Sequence, residues 1–175
     1  MFYKYRQREY EIVSYDPNWK ILFGEEAKKL KDIFGDVAIQ IEHIGSTSVP
    51  GLSAKPTIDI LVIVEKAADI DKFNSEMEAL GYKNMGAFIA KDTRMFEKEI
   101  NGRRTFIVHV FEKRHHKTLD MVKVKDYLVA HPKELESYNN LKKKLKEKFP
   151  DDYISYRKEK DRYMEELTKR ALSSQ

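Results

Sequence analysis

One aspartate constrains this chain more than any other residue. Residues 57–64 read TIDILVIV, an apolar and β-branched run in which Asp59 is the only charge. A run of this length and composition reads as a strand covered on both sides. A carboxylate within such a strand needs a partner, because burying an unpaired charge is costly. The fold must therefore bring a cation or hydrogen-bond donors to Asp59.

The residues just before it suggest what that partner serves. Positions 43–56 read HIGSTSVPGLSAKP. Gly45 permits a tight turn that leaves successive backbone N–H groups uncovered, and such groups form a concavity for phosphate oxygens. Ser46, Thr47 and Ser48 add hydroxyl donors, and Lys55 adds charge. Asp59 then stands where it can hold a divalent cation, Mg²⁺ or Mn²⁺, against the same phosphates. His43 precedes the turn and either orients the loop or joins the site. Each feature alone has an ordinary structural explanation as a turn or a cap; their conjunction is what favours a site.

The rest of the chain supplies a frame. Asp16-Pro17 reads as a helix start. Trp19, Phe23, Ala27, Leu30 and Phe34 then recur at helical spacing until Gly35. Residues 37–44 alternate as a strand, and Ile70, Phe73, Met77 and Leu80 mark a second helix closed by Gly81. Asn101-Gly102 is a preferred two-residue hairpin turn between RMFEKEI and RRTFIVHVF. A regular ladder from that turn sets Arg94 opposite His109 and Lys98 opposite Thr105. It gathers Arg94, Lys98 and His109 on one face and points Glu97 away from them. From about residue 119 the pattern turns helical, with breaks at His131-Pro132 and Phe149-Pro150. His115 and His116 read as solvent-exposed loop residues. The five lysines of LKKKLKEKF, residues 141–149, read as a solvated face.

Composition narrows the classes. The 175 residues are 41% hydrophobic, enough for one domain with a core. No cysteine is present, which excludes disulfides and thiolate metal sites. No apolar run reaches the ~20 residues of a membrane span, and the N-terminus lacks a signal-peptide core, so a soluble cytoplasmic protein is expected. The net charge of +4 suits an anionic small molecule. Nothing resembles a base-reading module, so nucleic acid is not an expected partner.

A glycine-serine turn followed about a dozen residues later by an aspartate-bearing strand resembles the nucleotidyltransferase superfamily. The chain as a whole resembles the GrpB family, a branch of it, through YDPNW (15–19), IEHIGSTSVPGLSAKPTIDILV (41–62), VHVF (108–111), VKDYLVAHP (124–132) and the pattern Tyr156, Lys160, Tyr163. The resemblance implies an α+β fold: a mixed sheet flanked by helices over residues 1–118, with a helical segment over 119–175 packed on it. It implies Gly45 and Ser46 as the phosphate pair and Asp59 as the first metal carboxylate. It also implies His109, Arg94 and Lys98 as site residues. Leu61 occupies the position of the superfamily's second carboxylate and cannot ligate a metal. Three functions stay open on sequence alone: transfer of a nucleotidyl group from a nucleoside triphosphate, binding of a phosphorylated or carboxylated ligand without turnover, and interaction through the helical tail.

Overall fold

The structure is a computed structural model that describes residues 7–174. Its centre is a five-stranded mixed sheet ordered β1-β2-β5-β4-β3. The strands are β1 (Gln40–Ile44), β2 (Ile58–Val64), β3 (Tyr82–Asn84), β4 (Thr93–Ile100) and β5 (Arg103–Glu112). Only β2 and β5 run parallel.

The sheet has two covered faces, as the apolar run of β2 requires. One face carries Ile58, Ile60, Val62, Phe96, Val108 and Val110 and packs under helix α1 (Asn18–Phe34) through Trp19, Leu30 and Phe34. Asp16 starts this helix by accepting a hydrogen bond from the Asn18 N–H at 2.9 Å. The other face carries Ile44, Leu61, Ile63 and Phe111 and packs against Met121 and Val122. Those two belong to α3 (His116–Ala130), which is followed by α4 (Pro132–Lys148) and α5 (Tyr153–Ser173).

Three sequence expectations need correction. The helix expected around residues 70–80 divides into a 3-10 stretch, Ala67–Phe73, and a short helix α2, Asn74–Ala79, although Ile70 and Met77 still point into the core. His115 is buried rather than exposed: it starts α3, accepting from the Lys117 N–H at 3.2 Å and packing its ring on Phe111 at 4.7 Å.

The third correction reaches the site. The Asn101-Gly102 turn pairs Ile100 with Arg103 as expected, but the register then shifts between Lys98 and Glu99, where Thr105 is left as an extra residue. Lys98 pairs with Phe106, Glu97 with Ile107 and Arg94 with Val110. A one-residue slip turns every later side chain to the other face. Here it lets Phe96 join Phe106, Val108 and Val110 in one core. It also removes Arg94 and Lys98 from the His109 face and brings Glu97 onto it.

Candidate functional site

The loop after β1 is tied down from both ends. His43 stacks on Phe23 at 4.7 Å, and its Nε2 lies 3.0 Å from the Thr47 hydroxyl. That hydroxyl donates to the Thr57 carbonyl at 3.4 Å, so the imidazole serves as donor to Thr47. Burial first, and the nearby Lys125 charge, push the His43 pKa down to about 4 against the opposing pull of Asp59. His43 is therefore a neutral loop support. Thr47 is buried with its hydroxyl committed inward, and Ser48 Oγ donates to the Gly45 carbonyl at 2.7 Å. Thr47 and Ser48 thus shape the turn.

Gly45 is the pivot. Its φ is +73°, and a Cβ added there would lie 2.6 Å from Asp59 Oδ2. Backbone conformation and contact both demand a residue without a side chain. The turn and the carboxylate consequently touch. Asp59 is the first residue of β2 on the α3 side of the sheet, opposite Ile44 in the ladder. Its side chain keeps 30% exposure, and His109 Nε2 approaches its Oδ1 at 3.4 Å. Burial raises the Asp59 pKa, but the hydrogen bond from His109 and the positive charges of Lys55 and Arg157 outweigh it and hold the group below the usual carboxylate value. Leu61, two residues on, is fully buried in the apolar cluster beside α3.

The C-terminal helices complete the site. Val49 and Leu52 of the loop pack with Leu128, Tyr138, Leu167 and Ala171. Asn139 of α4 accepts from the Ser53 N–H at 2.7 Å and donates to the Gly51 carbonyl at 2.9 Å. One turn further, Lys142 reaches Ser46 Oγ at 2.8 Å and the Ser53 carbonyl at 2.5 Å. Lys142 is only 1% exposed, with its ammonium 4.2 Å from the centre of the Tyr138 ring. Lys55 donates to the Tyr153 hydroxyl at 2.7 Å, and Arg8 reaches the same oxygen at 2.5 Å. Lys160 of α5 lies 3.7 Å from Asp161. Lys55 and Lys160 both act on the Lys142 amine, and Lys55 also acts on Lys160.

Sequence reasoning missed Lys142 and Lys160. A signal for Lys142 was present: it sits four residues after Tyr138 and three before Leu145, both of which are buried. That spacing lies on the inward stripe of the helix, not on its solvated face. Arg94 and Lys98, by contrast, are not brought to the site. Arg94 forks onto both oxygens of Asp71 at 2.6 and 2.7 Å, and Lys98 pairs with Glu26 at 2.8 Å under α1. Glu97 faces the same side as Asp59, but its carboxylate pairs with Arg104 at 2.9 Å.

At the loop, Asp59 is the side chain that could hold a cation, and His109 lies against its Oδ1 at 3.4 Å. Among the described residues no group of three or more histidine, cysteine or acidic side chains is placed to hold an ion. This donor set does not fit a protein-built cage for two cations. It fits one Mg²⁺ or Mn²⁺ that keeps its waters and takes further oxygens from a phosphate ligand.

This geometry agrees with what the chain is similar to. The GrpB protein family matches residues 9–170. The chain belongs to the GrpB family. The UPF0157 protein YqkA of Bacillus subtilis is 37% identical over 164 residues, covering 94% of this chain; the chain spans about half of that relative, 48%. The crystal structure of the conserved protein GrpB from Enterococcus faecalis superposes with a TM-score of 0.87 at 37% identity, covering 93% of this chain and 97% of the other. A more distant likeness, TM-score 0.54 at 17% identity over 78% of this chain and 44% of the other, is to the Cid1 poly(U) polymerase. At that identity the likeness concerns the fold alone. Among the described residues no helix is long and apolar enough to cross a membrane.

Proposed function

We propose that this GrpB-family site binds a nucleoside triphosphate by its phosphates and transfers the nucleotidyl group to an acceptor. The observation that carries this reading is the contact of Lys142 with Ser46, which puts a buried lysine amine on the loop that touches Asp59. The Gly45-Ser46 turn and the three lysines hold the β- and γ-phosphates. Asp59 faces the α-phosphate. Mg²⁺ or Mn²⁺, when bound by Asp59 and the ligand's phosphates, supplies charge neutralisation at the reacting phosphorus. The acceptor oxygen forms its bond to the α-phosphorus as the bond from that phosphorus to the α–β bridging oxygen breaks, and pyrophosphate leaves. The acceptor's proton passes to the Asp59–His109 pair.

Leu61 favours a second reading, in which the same groups hold a phosphorylated ligand without turnover. Two-ion transfer uses more carboxylates than this site offers. The two readings separate in one experiment. Nucleoside triphosphates with Mg²⁺ are expected to raise the melting temperature. A ligand at about 100 times its Kd adds roughly 2.7 kcal/mol of stability. Transfer predicts pyrophosphate release with a panel of acceptors, abolished in Asp59→Ala. Stabilisation without pyrophosphate release supports the binding module. No stabilisation by any nucleotide removes both.

A further inference from the structure

The cations beneath Ser46 are short of negative charge. Lys142 meets a hydroxyl, a carbonyl and a ring, and Lys55 meets a phenol hydroxyl and its ring. Among the described residues neither forms an ion pair with a carboxylate, and Lys160 has Asp161 at a long 3.7 Å. Charged groups face this cluster from every element packed on it. They are Arg8 of the N-terminal segment, Asp59 of β2, Arg104 of β5, and Arg157 with Asp161 of α5. Cations outnumber acids in that set, and Tyr138 adds its ring and Tyr153 its hydroxyl.

We infer that this basket takes up protons together with its anion: the occupant is a polyphosphate group, and its arrival recharges Lys55, Lys142 and Lys160. This rests on the phosphate-binding reading above and adds a pH control to it. In the free protein the burial of the amines dominates, and the neighbouring cations add to it. Lys160 is brought down to about 7, and Lys55 and Lys142 lie well below the ordinary lysine value. A polyanion between the amines reverses the balance and favours their charged forms. At a pH above the free-state value and below the bound-state value, each lysine must gain a proton when the anion binds. Affinity therefore falls as pH rises through that window.

The test is calorimetry of the full chain with inorganic tripolyphosphate at pH 8, in two buffers of different ionisation enthalpy. The difference in heat counts the protons exchanged. The same count is made for Lys160→Arg, whose guanidinium stays charged at any working pH. Protons belonging to the ligand are common to both proteins, so the difference reads the lysine. Wild type is expected to take up more protons than Lys160→Arg, by several tenths of a proton or more. The variant is also expected to lose less affinity between pH 7 and pH 9. Lys55→Arg is a second variant should the first fail to fold. Equal proton counts with binding intact overturn the coupling and leave the phosphate site standing. Absence of any tripolyphosphate binding overturns the site itself.

Discussion

Two lysines with little exposure, Lys98 at 13% and Lys142 at 1%, stand on opposite sides of the same sheet. Under α1, Lys98 meets the carboxylate of Glu26, which also accepts from Tyr82 at 2.9 Å and Lys29 at 3.0 Å. Beside α4, Lys142 meets Ser46, a carbonyl and a tyrosine ring. Both ammonium groups sit near aromatic rings. The difference is one carboxylate, and it separates a paired lysine from one without an acidic partner. Lys98 is already neutralised and only holds the fold together. Lys142 has only neutral groups against its amine, so burial disfavours its charged form and no carboxylate restores it.

The largest effect expected from this contrast is at Glu26. Burial raises its pKa, but hydrogen bonds from Lys98, Lys29 and Tyr82 prevail and hold the carboxyl below its ordinary value. Glu26→Gln leaves Lys98 unpaired. It should cost about 3 kcal/mol in urea unfolding at pH 7, the usual penalty for breaking a buried pair from one side. Because the folded-state pKa is depressed, the wild-type contribution is complete above the unfolded carboxyl value near 4.5. It is lost as pH falls through the lower folded value. A cost below about 1 kcal/mol would show that Lys98 was not balanced by Glu26 after all.

A smaller effect of different kind is expected at Lys142. Lys142→Met replaces a buried amine that has no acidic partner by an apolar chain of similar length. In the absence of ligand, stability should stay within about 1 kcal/mol of wild type or rise. Tripolyphosphate affinity, read by calorimetry at pH 7, should fall by about tenfold or more, as for loss of a charge-assisted hydrogen bond. If Lys142→Met destabilises as much as Glu26→Gln, the two lysines are both structural and the contrast collapses. The smallest effect is expected at Arg94. Its partner Asp71 is 44% exposed, so Arg94→Gln should cost at most about 1 kcal/mol and leave tripolyphosphate binding unchanged.

The sequence shows the frame of this molecule more clearly than the content of its site. The buried strand around Asp59, the turn at Gly45 and the hairpin at Asn101-Gly102 are local, and local chemistry determines them. Arg94 and Lys98 were assigned to the wrong face because a bulge at Thr105 depends on where Phe96 finds its core, a contact between distant strands. Glu97 was placed wrongly for the same reason. Lys142 was hidden by its neighbours: four other lysines in nine residues disguise the one that points inward. Lys160 was quoted only as part of a pattern, since nothing in its vicinity announces that the Ser46 loop lies against its helix. The missing carboxylate at Leu61, in contrast, was legible, and the structure gives it a second meaning as a packed core residue beside α3.

The clamp between the loop and α4 also has a consequence in time. Asn139 and Lys142 follow the loop residues they hold by 86 to 96 positions. At ordinary rates of synthesis that is a delay on the order of ten seconds, during which strands and turn have emerged but the clamp has not. The Gly45–Ser46 turn is thus made well before the side chains that fix its shape.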